Sequence, residues 1–214
     1  MLSSPRNLML ACALSALAGY VDGIGFLHLG GLFVSFMSGN TTRLGIYAAD
    51  ANWAKVQEAA ALIALFVVGS GIGSLIVKPR GKYRQPLLLL VEAALLALAP
   101  LADHLGAPAV AIGAVVLAMG MENAFFQSPG SGPLGLTYVT GALVKVGHLM
   151  AAALTGGPRW AWLPNLLLWA ALATGAMVGG LVYVRIQLDA VWYAAGVALA
   201  ISVLLGLRRG LRGH

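Results

Sequence analysis

The sequence predicts an all-α integral membrane protein with six transmembrane helices and two re-entrant or tilted half-helical elements. These are arranged as an inverted repeat of two halves. Three observations lead there. First, hydrophobic residues make up 60% of the 214 residues and charged residues only 9%, with a mean hydropathy of +0.88; a soluble domain carries about 25% charged residues. Second, six stretches are apolar over the length of about 20 residues that a helix needs to cross a bilayer. Third, the two halves of the chain carry matching residues at a near-constant separation. Seven acidic and thirteen basic side chains cannot coat a soluble surface of this size. Soluble enzymes, nucleic-acid binders and disordered chains are thereby excluded.

The net charge of +6 and pI near 9.8 would suggest a nucleic-acid partner in a soluble chain. In a membrane protein, basic residues collect in the cytoplasmic loops, so no nucleic-acid partner is expected. Cys12 is the only cysteine, which rules out an intrachain disulfide. Leu10 stands one place off a lipoprotein signal, so lipidation is discounted.

Taken in order, the first span is 8–29. Arg6 precedes it, and Ala16-Leu17-Ala18 has the small-x-small pattern of a signal-peptide cleavage site. The apolar run continues through Ile24, Phe26, Leu27 and Leu29, which favours an uncleaved helix. The stretch 30–49 is less cleanly apolar and carries Ser38, Gly39, Asn40, Thr41, Thr42 and Arg43. Spans follow at 58–77, 86–103 and 108–127. The stretch 134–155 resembles 30–49, with Thr137, Thr140, Gly141 and Lys145. The last spans are 162–184 and 190–207.

The duplication is read from pairs. Gly19-Tyr20-Val21-Asp22 aligns with Gly120-Met121-Glu122-Asn123, Ser38-Gly39 with Thr140-Gly141, and Arg43 with Lys145. Gly69 and Gly73 align with Gly175 and Gly179. The separations run from 101 residues (Gly19 to Gly120) to 106 (Gly69 to Gly175), giving halves of about 1–104 and 105–214. If neither 30–49 nor 134–155 crosses, Arg6, the basic loop with Lys78, Arg80, Lys82 and Arg84, and the tail with Arg208, Arg209 and Arg212 all share one side. The positive-inside rule then makes that side the cytoplasm, N-in and C-in. Three spans per half invert the second half against the first, an architecture of many transporters with the site at the midplane. Gly39 and Gly141 would supply breaks in the two re-entrant elements. A tilted pair of fully spanning elements is the structural alternative.

The Gly19–Asp22 segment with Leu29-Gly30-Gly31-Leu32-Phe33-Val34-Ser35-Phe36-Met37-Ser38-Gly39-Asn40-Thr41, and Thr137 to Lys145 in the second half, resemble the YoaK-like family. This is a family of small bacterial membrane proteins known as a domain of unknown function. The resemblance covers nearly the whole chain. It implies a six-span protein of the cytoplasmic membrane and no particular substrate or reaction.

Ionisable groups at membrane depth cost roughly 2.5–3.5 kcal/mol each on insertion scales, so they need a partner or a role. The expected site therefore comprises Asp22, Ser38, Asn40, Thr41, Arg43, Glu122, Asn123, Thr140 and Lys145, converging near the midplane. Its acids, Asp22 and Glu122, are expected to pair with the bases Arg43 and Lys145. A helix restarting after Gly39 or Gly141 would aim free N–H groups at an anion. Glu92 is read as structural, within reach of the basic interface. His28, His104 and His148 share no metal-ligand spacing, and no nucleophile–base set emerges. The sequence thus points to a transporter or channel for a small solute, slightly favouring an anion or zwitterion, with proton coupling through the buried acids. It points to no enzyme, cofactor or metal. A non-transporting structural or assembly protein is the alternative. The bilayer and a small-molecule solute are the expected partners, with homodimer and monomer both open.

Overall fold

The computed structural model describes residues 4–77, 84–125 and 139–210, and every regular element among them is helical. With no water in a bilayer core, each backbone N–H and C=O must be satisfied inside the segment, which selects helices for apolar stretches. The helices are α1 (Pro5–His28), α2 (Met37–Ala49), α3 (Trp53–Val77), α4 (Arg84–His104), α5 (Pro108–Glu122), α6 (Val139–Leu154), α7 (Leu163–Ile186) and α8 (Val191–Gly210). Proline opens α1 and α5, where its missing N–H has no intrahelical partner to lose.

Length and composition alone qualify Pro5–His28, Trp53–Val77, Arg84–His104 and the 46-residue stretch Leu163–Arg208 to cross a membrane. That last stretch is two helices. It breaks at Gln187, which has a φ of 52°, and a 3₁₀ turn over Gln187–Ala190 leads into α8. The chain is a multi-pass all-α membrane protein.

Side-chain contacts fix the directions of the helices. At one end of the bundle, His28 Nδ1 lies 3.2 Å from Tyr183 Oη, joining the C-terminal ends of α1 and α7. The Tyr20 hydroxyl donates to the Ala190 carbonyl at 2.9 Å. His104 Nε2 lies 2.8 Å from Asp189 Oδ1, bringing the end of α4 to the start of α8. At the opposite end, the Ser202 hydroxyl of α8 donates to the Pro86 carbonyl of α4 at 2.6 Å. There Gln85 Nε2 donates to the Phe125 carbonyl just after α5, and Arg84 Nη1 reaches the Val77 carbonyl at the end of α3. Helices α1, α4 and α7 therefore run one way and α3, α5 and α8 the other. The chain leaves α1 and re-enters α3 at the same end, and it leaves α5 and re-enters α7 at the same end. Helices α2 and α6 lie within these two returns, packed on α3 and α7 respectively.

Two parallel helix pairs make the closest approaches. In α1 and α7, a methyl added at Gly19, Gly23, Gly175 or Gly179 would collide with the backbone of Leu172, Ala176, Ala16 or Tyr20. In α3 and α5, a methyl at Gly69, Gly73 or Gly120 would collide with the backbone of Leu117, Met121 or Phe66. Small residues let helix backbones meet in lipid, where dispersion and close packing replace hydrophobic association.

The element expected over 30–49 is helical only from Met37. Residues 29–36 form an irregular link instead, with Gly30 and Gly31 at φ of 61° and 110°, a region that only glycine enters cheaply. Gly39 does not break the helix. It sits in the first turn of α2, where its missing Cβ makes room for the rings of Phe33 and Phe36. The expected span 108–127 is helical to Glu122 and continues as a turn to Phe125. Lys78, Arg80, Lys82, Thr137 and Arg212 lie outside the described residues.

Candidate functional site

The link between α1 and α2 carries backbone amides that no helix satisfies, and two side chains secure it. Asp22, one and a half turns before the end of α1, accepts the N–H groups of Val34 and Ser35 on a single oxygen, Oδ1, at 2.8 Å each. Asn40, fully buried, clasps the Phe33 backbone from both sides: its Oδ1 accepts the Phe33 N–H at 2.8 Å and its Nδ2 donates to the Phe33 carbonyl at 2.7 Å. Burial of an irregular backbone is tolerable only with such partners.

Arg43, on α2, faces the same link. Its guanidinium lies 5.6 Å from the ring centre of Phe26 and 6.0 Å from that of Phe33, within the range of cation–π attraction. Gly31 lets it in, since a Cβ there would stand 2.9 Å from Arg43 Nη1. Thr41 and Thr42 turn their hydroxyls back to the carbonyls of Met37 and Ser38 in their own helix. Ser38 and Thr41 are exposed. The N–H groups of Met37, Gly39 and Asn40 bond to Ser35 and Phe36 carbonyls, so this helix start does not offer the row of free donors expected for an anion.

The second half is arranged differently. Thr140 and Lys145 are exposed on α6. Asn123 donates to the Met119 carbonyl at 3.0 Å. Glu122 is fully buried, and its neighbour is not a base but Glu92 of α4, also fully buried. None of the four carboxyl oxygens has a hydrogen-bond partner among the described residues. The expected acid–base pairs thus do not form. Asp22 engages backbone amides, Glu122 has another acid as its charged neighbour, and the ion pairs among the described residues are Lys55–Glu58 and His104–Asp189.

The structure therefore gathers Asp22, Asn40 and Arg43 at the α1–α2 link, and Glu122 with Glu92 at the α4–α5 seam. It keeps Thr140 and Lys145 apart from both on an exposed face. Glu92 is the residue that sequence reasoning underrated. The available signal was its place on the stripe Leu88, Leu89, Glu92, Leu96 and Ala99, which a helical period puts on one buried face. An apolar cavity of about 270 Å³ opens among α1, α7 and α8, lined by Leu17, Tyr20, Gly175, Tyr193 and Ala194 among others. Among the described residues, no three His, Cys, Asp or Glu side chains gather as metal ligands.

The profile of the family described as "Protein of unknown function (DUF1275)" matches residues 10–204. The chain belongs to the DUF1275 family. The match covers the α1–α2 link and the α4–α5 seam, so both clusters lie inside the family's shared region. The chain is also 34% identical over 200 residues to the UPF0700 transmembrane protein RA0705 of Rhizobium meliloti (strain 1021), covering 93% of this chain and 86% of that one. No solved structure matches this DUF1275 member.

Proposed function

We propose that this DUF1275 protein is a small-solute transporter of the bacterial inner membrane, with no enzymatic activity, built as an inverted repeat of six spans. The observation that carries the reading is the agreement between the two close helix pairs. A shift of 101 residues turns Ala16, Gly19 and Tyr20 into Leu117, Gly120 and Met121. A shift of 106 turns Phe66, Gly69 and Gly73 into Leu172, Gly175 and Gly179. Gly19 meets Leu172 as Gly120 meets Phe66, Gly175 meets Ala16 as Gly69 meets Leu117, and Gly179 meets Tyr20 as Gly73 meets Met121. Each glycine thus faces the equivalent carbonyl in both halves. The two pairs run in opposite directions, as an in-plane two-fold axis requires.

The charge distribution supports the orientation. Arg6, Arg84, Arg159 and Arg208 stand at the end where α1 begins. The opposite end carries Asp50, Asp103 and Asp189 with Lys55 and Arg185. On the positive-inside rule the first end is cytoplasmic. Arg43, half-buried between two phenyl rings and without an acidic partner among the described residues, supports a small anion or zwitterion as solute. The partners in this reading are the bilayer and the solute, with a second copy of the chain against its exposed apolar helix faces.

The test is uptake by the full-length protein in proteoliposomes, with a panel of labelled small anions and amino acids under imposed pH and voltage gradients. Wild-type protein should accumulate at least one of them. Arg43→Gln should reduce that uptake tenfold or more while leaving the purified protein monodisperse. No uptake of any member of the panel favours a structural role in the membrane instead.

A further inference from the structure

We propose that Glu92 and Glu122 form a single proton-binding site in the α4–α5 seam, and that this pair is the coupling site of the transporter. The second half of that statement rests on the transport reading; the first stands on geometry.

Both side chains are 0% exposed, they are neighbours, and none of their four oxygens has a hydrogen-bond partner among the described residues. An ionised carboxylate buried without a donor loses its hydration and gains nothing in return. Two adjacent carboxylates add mutual repulsion, which is why paired buried acids elsewhere hold a proton between them. The surrounding elements bring no relief. From Ala59 to Val77, α3 carries no titratable side chain, and from Ala194 to Leu207 neither does α8. Helix α1 contributes Asp22, held by the Val34 and Ser35 amides, and the phenol of Tyr20, held by Ala190. The nearest base along α4 is Arg84, about 12 Å down the helix axis, with its guanidinium on the Val77 carbonyl. Among the described residues no cationic side chain neutralises the pair in this packing, and protonation does so: a hydronium ion gives up H⁺, a carboxylate oxygen takes it and becomes a hydroxyl, and water is left.

Packing alone does not call for acids here. The shift of 101 residues that relates α1 to α5 places Val21 where Glu122 stands, and Val21 is equally buried. An apolar side chain fills that position in the first half, so the acid in the second half needs a different reason. The pair also sits toward the end of the bundle where Arg84 and Arg208 stand. A proton released there when α4 and α5 part would leave on the cytoplasmic side.

The chain holds only three glutamates, Glu58, Glu92 and Glu122, and Glu58 is paired with Lys55 at 2.6 Å. Infrared difference spectroscopy of full-length protein labelled with ¹³C-glutamate, in liposomes at neutral pH, therefore reads the pair almost alone. The expected result is a labelled neutral-carboxyl band, reduced in Glu92→Gln and in Glu122→Gln and absent from the double variant. Its absence from wild-type protein overturns the proposal, and so does its loss on adding sodium at constant pH, which would make the site one for a metal cation. The wild-type spectrum decides this even if a variant fails to fold. In parallel, pH-gradient-driven uptake should fall at least tenfold in either variant. Uptake that persists in both variants overturns the coupling role. A neutral-carboxyl band in a protein that takes up no solute upholds the proton site and rejects the transport reading instead.

Discussion

Asp22 accepts two backbone N–H groups of the α1–α2 link through one oxygen. Replacing it by leucine strands two amides at membrane depth, and each unsatisfied buried donor costs about 1–3 kcal/mol. Asp22→Asn keeps an acceptor oxygen and should lose less, chiefly the extra strength of a charged acceptor. Thermal unfolding in detergent should rank wild type above Asp22→Asn above Asp22→Leu, with Asp103→Asn at the end of α4 close to wild type. If Asp22→Asn falls as far as Asp22→Leu, the charge itself matters beyond the two bonds. The sequence marks Asp22, Asn40 and Arg43 as costly residues in an apolar chain, and the structure brings these three to one link. Their partners were not legible, because they are backbone groups and aromatic faces, which leave no charge pattern to match. The proximity of Glu92 and Glu122 was hidden for a different reason. Charge matching looks for opposites, whereas two acids become neighbours only once α4 and α5 fold back on each other.

At the scale of helices, the glycines decide which surfaces meet. Gly175 abuts the Ala16 carbonyl, and Gly206 in α8 has nothing nearby. Gly175→Val should therefore force α1 and α7 apart, at the upper end of the roughly 1–3 kcal/mol typical of overpacking. Gly206→Val should be near neutral, because its new side chain enters open space. Melting temperatures of the two variants in the same detergent check the contrast, and equal losses would mean that the α1–α7 approach is not tight. The helices themselves were largely legible, since a run of about 20 apolar residues is a strong signal. Their ends were less so. The link before α2 reads as apolar as the helices beside it, Leu32, Phe33 and Val34 included, so hydropathy alone ran the element on from residue 30. Likewise Leu163–Arg208 is apolar throughout, and its reversal depends on the backbone at Gln187 more than on composition.

For the whole molecule, the directions of the helices bear on how often the chain crosses. Helices α1 and α4 both end where Tyr183, Asp189 and Ala190 gather. If α2 crossed the membrane, two crossings, α2 and α3, would lie between α1 and α4 and the two would run antiparallel. Their common direction fits the six-span reading proposed above, in which α3 is the one crossing between them and α2 returns to the side it left. The same reasoning applies to α6, because α5 ends beside the start of α4 whereas α7 ends beside the end of α1. A six-span chain puts residues 78–83 and the C-terminus on the side of Arg6, and the turn at Gly106 on the opposite side. An eight-span chain puts 78–83 opposite the C-terminus. Reporter fusions to the intact upstream chain separate the two. A phosphatase that works only outside the cytoplasm should be active when joined after Gly106 and silent when joined after Lys82 or after His214. A fluorescent protein that matures only in the cytoplasm should give the reverse. Activity of the phosphatase after Lys82 would reject the six-span arrangement, and with it the two-fold axis on which the transport reading depends.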